Sequence, residues 1–221
     1  MRFDIGSIQS QMAAIFLARG YGIEPIWQNS LQASAVLKRS FDLLAAILGI
    51  CALAPVIGLG VLAVRLTSPG GGIFSQRRVG RNGKIFNCHK LRTMHVETPE
   101  VPSHEGSVSF VTPLGHFLRR TKLDELPQLY NVLRGEMSFV GPRPCLPTQT
   151  ELVRERQKYG LLALRPGITG LAQIRGIDMS DPKRLAAIDA EYAKSASLAV
   201  DLRILWATVF RGAGRGDRLR G

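Results

Sequence analysis

The apolar positions divide the chain before any motif is considered. Residues 43–64 form a run of 22 without a charged side chain. At about 1.5 Å per residue, a straight helix of that length reaches about 33 Å, enough for a hydrocarbon core about 30 Å thick. Pro55 stands inside the run. It removes a helical hydrogen bond and crowds the carbonyl of Cys51, so a kink is predicted there. Lys38 and Arg39 precede the run, and Arg65, Arg77, Arg78 and Arg81 follow it. Positive charge marks the cytoplasmic side of a membrane. Basic flanks at both ends favour a helix that enters, bends at Pro55 and returns to the same face over one that crosses. A buried core helix is a third reading of the same residues. A secretory signal fits poorly, because the run starts late and exceeds the usual apolar stretch of about 7–15 residues.

Upstream, Ile8, Met12, Ile15 and Phe16 fall on one helical stripe, which Gly20 and Gly22 end. The stripe fits either a helix packed on the core or one lying in a membrane interface. Downstream, residues 68–72 read as a turn. Residues 73–79 and 84–94 read as short strands joined by Arg81-Asn82-Gly83, a hairpin signal. The polar stretch 97–107 reads as a loop. Helices are predicted near 125–134, 147–159, 182–195 and 198–211. The last gathers Leu198, Leu202, Leu205, Trp206, Val209 and Phe210 on one side. That pattern fits a core-packing helix, with an interfacial place for Trp206 as the alternative. The tail 211–221 is rich in Gly and Arg and is expected to be mobile.

Composition narrows the partners. The chain has 221 residues, 45% of them hydrophobic, which excludes a disordered chain and suffices for one domain of ordinary size. A net charge of +12 calls for an anionic partner: nucleic acid, anionic lipid or a phosphorylated substrate. Cys51, Cys88 and Cys145 are odd in number and widely spaced, without disulfide or zinc spacing, so a reducing compartment is expected. His89, His95, His104 and His116 form no i, i+4 pair and no metal motif.

The candidate chemistry centres on Asp124-Glu125, followed by Leu126-Pro127 and preceded by Arg119, Arg120 and Lys122. Pro127 predicts a helix start within a few residues. In the bland reading Asp124 caps that helix and Glu125 favours its dipole. The neighbours allow a sharper one. A helix start among cations attracts phosphate, and two carboxylates there suit Mg²⁺, which binds through one or two carboxylates plus substrate phosphates. One carboxylate could instead attack phosphorus. Gly141-Pro142-Arg143-Pro144 fixes an arginine between two prolines, a pre-oriented fork for phosphate oxygens or simply a rigid turn. Arg165-Pro166-Gly167-Ile168-Thr169-Gly170 repeats that design. Lys90 and Arg92 share one face if 84–94 is a strand, either as phosphate ligands or as a solvated edge.

Taken together, these segments resemble the bacterial sugar transferase family of monotopic phosphoglycosyl transferases, in its small form. The likeness runs from about Lys38 to about Gly212. It is carried by Lys38-Arg39-Ser40-Phe41-Asp42, Thr67-Ser68-Pro69-Gly70, Lys90-Leu91-Arg92-Thr93-Met94, Leu123-Asp124-Glu125-Leu126-Pro127-Gln128-Leu129, Val140-Gly141-Pro142-Arg143-Pro144 and Pro166-Gly167-Ile168-Thr169-Gly170, with Asp189, Tyr192 and Asp201 beyond them. The resemblance implies a re-entrant membrane helix and transfer of a sugar-1-phosphate from a UDP-sugar to polyprenyl (undecaprenyl) phosphate, with release of UMP. It implies Asp124 as nucleophile, Glu125 as Mg²⁺ ligand, and Arg119 and Arg143 near phosphate. Lys90, Arg92 and Arg165 join them as phosphate-binding candidates with less defined roles. It implies no nucleic-acid partner, allows a homo-oligomer, and puts the protein on the cytoplasmic face of a bacterial inner membrane. Residues 174–180 resemble members that use N-acetylated amino sugars.

Three positions depart from the family pattern. Ala54-Pro55 stands where Ser-Pro is common, so the bend lacks a hydroxyl to bond a freed carbonyl. Leu91 replaces a common Phe, and Glu136 a common Asp. The expected fold is α+β and mainly helical. A re-entrant helix-break-helix over 38–66 would anchor a small catalytic domain over 67–212, built with a short β-hairpin and amphipathic interfacial helices. Residues 1–37 would be accessory and 213–221 a basic tail.

Overall fold

The computed structural model describes residues 28–98 and 110–210. The apolar stripe at 8–16, most of the 97–107 loop and the basic tail lie outside them. Helix α1 spans Gln28–Thr67, 40 residues with Pro55 inside. The expected helix-break-helix is therefore found as one helix that continues through the proline. Proline forfeits one hydrogen bond of the ladder, and the bonds on either side carry the chain past it.

The core-helix reading of this run is overturned. In the 18-residue apolar window within Val36–Thr67, only 6% is buried. Leu44, Ile47, Leu48, Leu59, Leu62 and Leu66 are all exposed. An apolar surface of that extent fits membrane association, because water would penalise it.

The rest of α1 packs on the domain that follows, on both sides of Pro55. Before the proline, Ala46 is buried with Phe86, Cys88, Val132 and Met137. After it, Val64 is buried with Leu91 and Leu118. Each such large aliphatic side chain taken from water contributes about 1.5–3 kcal/mol. Small residues let the helix approach closely: a Cβ on Gly60 would lie 2.7 Å from Leu91 Cδ1.

The predicted hairpin is present. Strands β1 (Ile73–Val79) and β2 (Ile85–Leu91) pair antiparallel, from Ile73 opposite Leu91 to Val79 opposite Ile85. Asn82 (φ 58°) and Gly83 (φ 74°) take the left-handed conformations that the tight turn needs. Helix α2 (Pro113–Thr121) was not foreseen. Its signal was local: Thr112 caps the helix, its hydroxyl accepting from Gly115 N at 2.9 Å, and proline opens it.

Helix α3 (Gln128–Arg134) leads into strand β3 (Ser138–Val140). Helix α4 (Thr150–Lys158) follows, then strand β4 (Gly167–Thr169), parallel to β3. Short α5 (Leu171–Ile174) precedes α6 (Pro182–Ser195) and α7 (Leu198–Phe210), both close to their predicted bounds. The β3–β4 pair joins the two proline-fixed arginine motifs. A Cβ on Gly167 would lie 2.1 Å from Gly141 N, so only glycine permits this backbone contact.

Candidate active site

Asp124 and Glu125 lie between two helices. Helix α2 ends at Lys122, a left-handed residue (φ 59°), whose N–H donates to Arg119 O at 3.2 Å. The chain then makes one 3₁₀ turn, Leu123–Glu125, before α3 begins behind Pro127. The capping reading of Asp124 is thereby overturned. Pro127 occupies the entry position of α3, and neither the turn nor α3 has a side-chain cap. The acids belong to the tighter turn upstream, so their oxygens are not spent on helix amides.

Three cations from three elements meet this turn. Lys90, near the end of β2, donates from Nζ to Glu125 Oε1 at 3.2 Å. Arg143, in the loop after β3, donates from Nη2 to the same oxygen at 3.0 Å. Arg119, in the last turn of α2, donates from Nε to Thr93 Oγ1 at 2.8 Å, and its charge acts on Asp124.

The two carboxylates respond in opposite ways. Asp124 is 7% exposed, and burial first, then the charge of Glu125, pushes its pKa up to about 6. Lys90, Arg119 and Arg143 hold it from rising further. Burial acts on Glu125 in the same direction, but Lys90 and Arg143, by charge and by hydrogen bonds, bring it down to about 2. One acid is thus a fixed anion at neutral pH, while its neighbour titrates near neutrality.

The other two candidate cations bond elsewhere on the scaffold. Arg92 is buried and donates from Nη2 to Ser68 O at 3.0 Å and Ser68 Oγ at 2.8 Å, fastening the turn that leaves α1. Arg165 donates from Nε to Gly135 O at 3.0 Å, at the C-terminal end of α3. Arg39 holds the same helix end through Val132 O and Leu133 O. Cations there complement the helix dipole. Arg81 and Arg39 stand close enough to Arg165 to lower its pKa, after burial.

Two supporting residues escaped the sequence reading. Asn131 is fully buried, accepts from His89 N at 3.1 Å, and donates to Asn87 O and Glu136 Oε2, both at 2.7 Å. It ties α3 to the strand that carries Lys90, and it gives Glu136 a structural partner. Arg156 is buried in α4 and reaches the backbone of Arg143. The sequence carries no signal for either, because only the packing of α3 and α4 buries these two polar side chains.

Among the described residues, no group of three or more His, Cys, Asp or Glu side chains is placed to hold a metal. The adjacent carboxylates match a different mode, in which Mg²⁺ takes one or two carboxylates and completes its shell with substrate phosphate and water. The strongly acidic Glu125 fits a metal ligand, because it stays ionised.

The chain is similar to known proteins over most of its length. The UDP-glucose:undecaprenyl-phosphate glucose-1-phosphate transferase of Escherichia coli strain K12 is 38% identical over 203 residues, covering 87% of this chain and 44% of the relative. A protein of the same name from Caulobacter vibrioides is 40% identical over 181 residues, covering 78% of this chain and 68% of the relative. The exopolysaccharide production protein ExoY of Sinorhizobium fredii is 36% identical over 219 residues, covering 91% and 93%. The chain spans less than half the length of several curated relatives, among them those from Haemophilus influenzae (41%) and Komagataeibacter xylinus (35%). A family profile described as bacterial sugar transferase matches residues 33–215, from within α1 to beyond α7. A match of that extent takes in most of the exposed apolar helix and the acid pair with its cations, and the chain belongs to the bacterial sugar transferase family.

Proposed function

We propose that the protein transfers a sugar-1-phosphate from a UDP-sugar to a polyprenyl phosphate, releasing UMP, in the synthesis of a surface glycan. The observation that carries this reading is the divided acid pair: a titrating carboxylate and a permanent one, ringed by Lys90, Arg119 and Arg143, on a domain fastened to an exposed apolar helix. The names of the relatives support undecaprenyl phosphate as acceptor, and glucose or galactose as the sugar. A UDP-hexose is therefore the first donor to test, ahead of an N-acetylated amino sugar.

The proposed chemistry has two displacements at one phosphorus. Asp124, ionised above about pH 6, attacks the β-phosphorus of the donor. A bond from its carboxylate oxygen to phosphorus forms, the bond to the bridging oxygen breaks, and UMP leaves with that electron pair. An oxygen of the lipid phosphate then attacks the same phosphorus and expels the Asp124 carboxylate. Arg119, Arg143 and Lys90 stabilise the charge that develops on the phosphoryl oxygens. Mg²⁺, with Glu125 as its protein ligand, would neutralise charge on the diphosphate when bound.

The same reading makes α1 re-entrant, with the domain on the cytoplasmic face of the inner membrane. Its support is that Ala46 and Val64, on opposite sides of Pro55, both pack on this one domain. A domain can lie on only one face of a bilayer.

The test uses purified, detergent-solubilised protein with undecaprenyl phosphate, Mg²⁺ and a panel of UDP-sugars. UMP should appear with at least one donor, and radiolabelled phosphosugar should be trapped on Asp124 when the lipid is omitted. No UMP with any donor would leave a non-catalytic, lipid-binding protein. UMP formation at full rate by Asp124→Asn would replace the covalent step with direct transfer.

A further inference from the structure

We infer that Arg156 and Asp189 are positioning residues for Arg143, acting through its backbone without touching substrate. The inference rests on the proposed transfer reaction for its activity readout.

The loop that carries Arg143 is clamped at four successive carbonyls. Pro142 O accepts from Gly167 N at 2.9 Å, and Cys145 O accepts from Val79 N at 2.9 Å. Pro144 O accepts from Arg78 Nη1 at 3.0 Å. Arg143 O itself accepts from Arg156 Nη1 at 2.7 Å. The clamp on the functional residue is thus a side chain from another helix.

Arg156 is committed on every nitrogen. Its Nε and Nη2 donate to Asp189 Oδ2 at 3.0 and 2.8 Å, while Nη1 holds Arg143 O. The two side chains are 5% and 4% exposed. A guanidinium this deep, with all three nitrogens occupied, is not available to a soluble or lipid-borne phosphate. Asp189 fixes the plane of the fork, and the plane sets where the Arg143 carbonyl lies.

A buried ion pair is a poor device for stability alone, since apolar residues of similar volume often serve as well or better. Here it spans α4 and α6 and ends on the backbone of the residue whose Nη2 meets Glu125 Oε1 at 3.0 Å. Pro142 and Pro144 restrict the rotation of the loop, but they do not fix its distance from the acid turn. The bonds to Pro142, Pro144 and Cys145 hold the loop's flanks and the Arg156 fork holds Arg143 itself, and a shift of about 1 Å in a catalytic group can cost about 100-fold in rate.

Removing one member alone strands a buried charge and can prevent folding. The decisive variant therefore replaces both, Arg156→Met with Asp189→Leu. It should melt within a few degrees of the native protein in the same detergent and lower kcat for UMP release about 10-fold or more. In an Arg143→Ala background the same replacement should change kcat less than twofold, because the residue it positions is gone. Arg156→Lys, which keeps the charge and loses the fork, should fold and show a similar loss.

A folded double variant with native kcat would overturn the inference. So would a loss that multiplies with that of Arg143→Ala. Hydrogen exchange over residues 141–146 gives a substrate-free readout: it should quicken in the double variant, and unchanged exchange would also overturn the inference. If the native protein releases no UMP from any UDP-sugar, the functional reading fails while the exchange experiment still decides this one.

Discussion

Asp124 and Glu125 are neighbours in the chain, and their pKa values are displaced in opposite directions, up to about 6 and down to about 2. The split arises because Lys90 and Arg143 both aim hydrogen bonds at Glu125 Oε1 and outweigh its burial, whereas on Asp124 burial and the charge of Glu125 win over the cations. Turnover should therefore follow the ionisation of Asp124, falling as pH drops through about 6. Lys90 lowers the pKa of Asp124. Lys90→Met should accordingly move the acid limb to higher pH, besides reducing the rate. A kcat/KM–pH profile of both proteins, which reports the groups of the free enzyme, checks this. An acid limb unmoved by the substitution would dissociate Lys90 from the nucleophile.

The same burial has a consequence for stability. A carboxyl whose folded pKa rises from 3.8 to about 6 binds its proton more tightly when folded. The native protein loses stability as pH climbs from about 4 to about 6, and above that the penalty is complete. At about 1.4 kcal/mol per pH unit it is on the order of 3 kcal/mol. Asp124→Asn should therefore be more stable than the native protein at pH 8, with the difference gone at pH 4. Glu125 works the other way, contributing above its ordinary value of 4.5 and losing that contribution as pH falls towards 2. Thermal melts of both proteins at pH 4 and pH 8 in one detergent decide the matter. Equal stability at pH 8 would count against a desolvated, buried Asp124 carboxylate.

The two proline-fixed arginines read alike in sequence and differ in structure. Arg143 faces Glu125, while Arg165 holds the end of α3 through Gly135 O. Arg143→Gln should lower kcat on the order of 100-fold, as loss of a charge-stabilising donor does. Arg165→Gln should cost about 1 kcal/mol of stability, the typical worth of one hydrogen bond, with kcat within a few fold of native. Paired melting and rate measurements test the division. A larger rate loss at Arg165 than at Arg143 would reverse the assignment.

Periodicity and turn chemistry made much of this legible. The apolar run, the Asn-Gly hairpin and α6 all stand close to where their residues predicted them. The acid pair and three of its five candidate cations meet at the site. Two things were out of reach. Helix α2 is only nine residues, Pro113–Thr121, too short for a strong apolar period, and its signal lay in Thr112 and Pro113. The partners of Arg92 and Arg165 depend on long-range pairing: Arg92 bonds Ser68 at the turn that leaves α1, and Arg165, just before β4, bonds Gly135 O. Spacing along a chain does not encode such approaches. Pro55 signalled a disturbance, but the path of the chain through it follows from packing on both sides.

Lys38 joins the start of the apolar run to the far end of the chain. Its Nζ donates to Asp201 Oδ2 at 2.5 Å and to Val140 O at 3.0 Å, and Tyr192 OH donates to Asp201 Oδ1 at 2.7 Å. Asp201 is 2% exposed, and burial raises its pKa against the pull of Lys38. Lys38→Met would leave that carboxylate buried without its cation, at a cost of about 3 kcal/mol. Tyr192→Phe removes the hydroxyl that donates to Asp201 Oδ1 and accepts from Lys38 Nζ at 3.4 Å, and should cost about 1–2 kcal/mol. Melting temperatures should fall in that order, with Lys38→Met the lower. Asp201→Asn combined with Lys38→Met should recover part of the loss, because no charge is then stranded. A combined variant no more stable than Lys38→Met alone would show that the salt bridge is incidental.

Topology offers the last discriminating measurement. Ser40 and Thr67 lie on either side of the apolar run, both exposed, so cysteines placed there report where each end resides. Native Cys88 and Cys145 are buried, while Cys51 is exposed on the apolar helix and must first be replaced by serine. A membrane-impermeant maleimide applied to intact cells should label neither site, and both should react once the inner membrane is opened. The argument is steric as much as electrostatic. Ala46 and Val64 could not both contact one domain if the bilayer lay between them. Labelling of one position in intact cells, with the other protected, would require a crossing helix and would detach one of those two contacts from the domain.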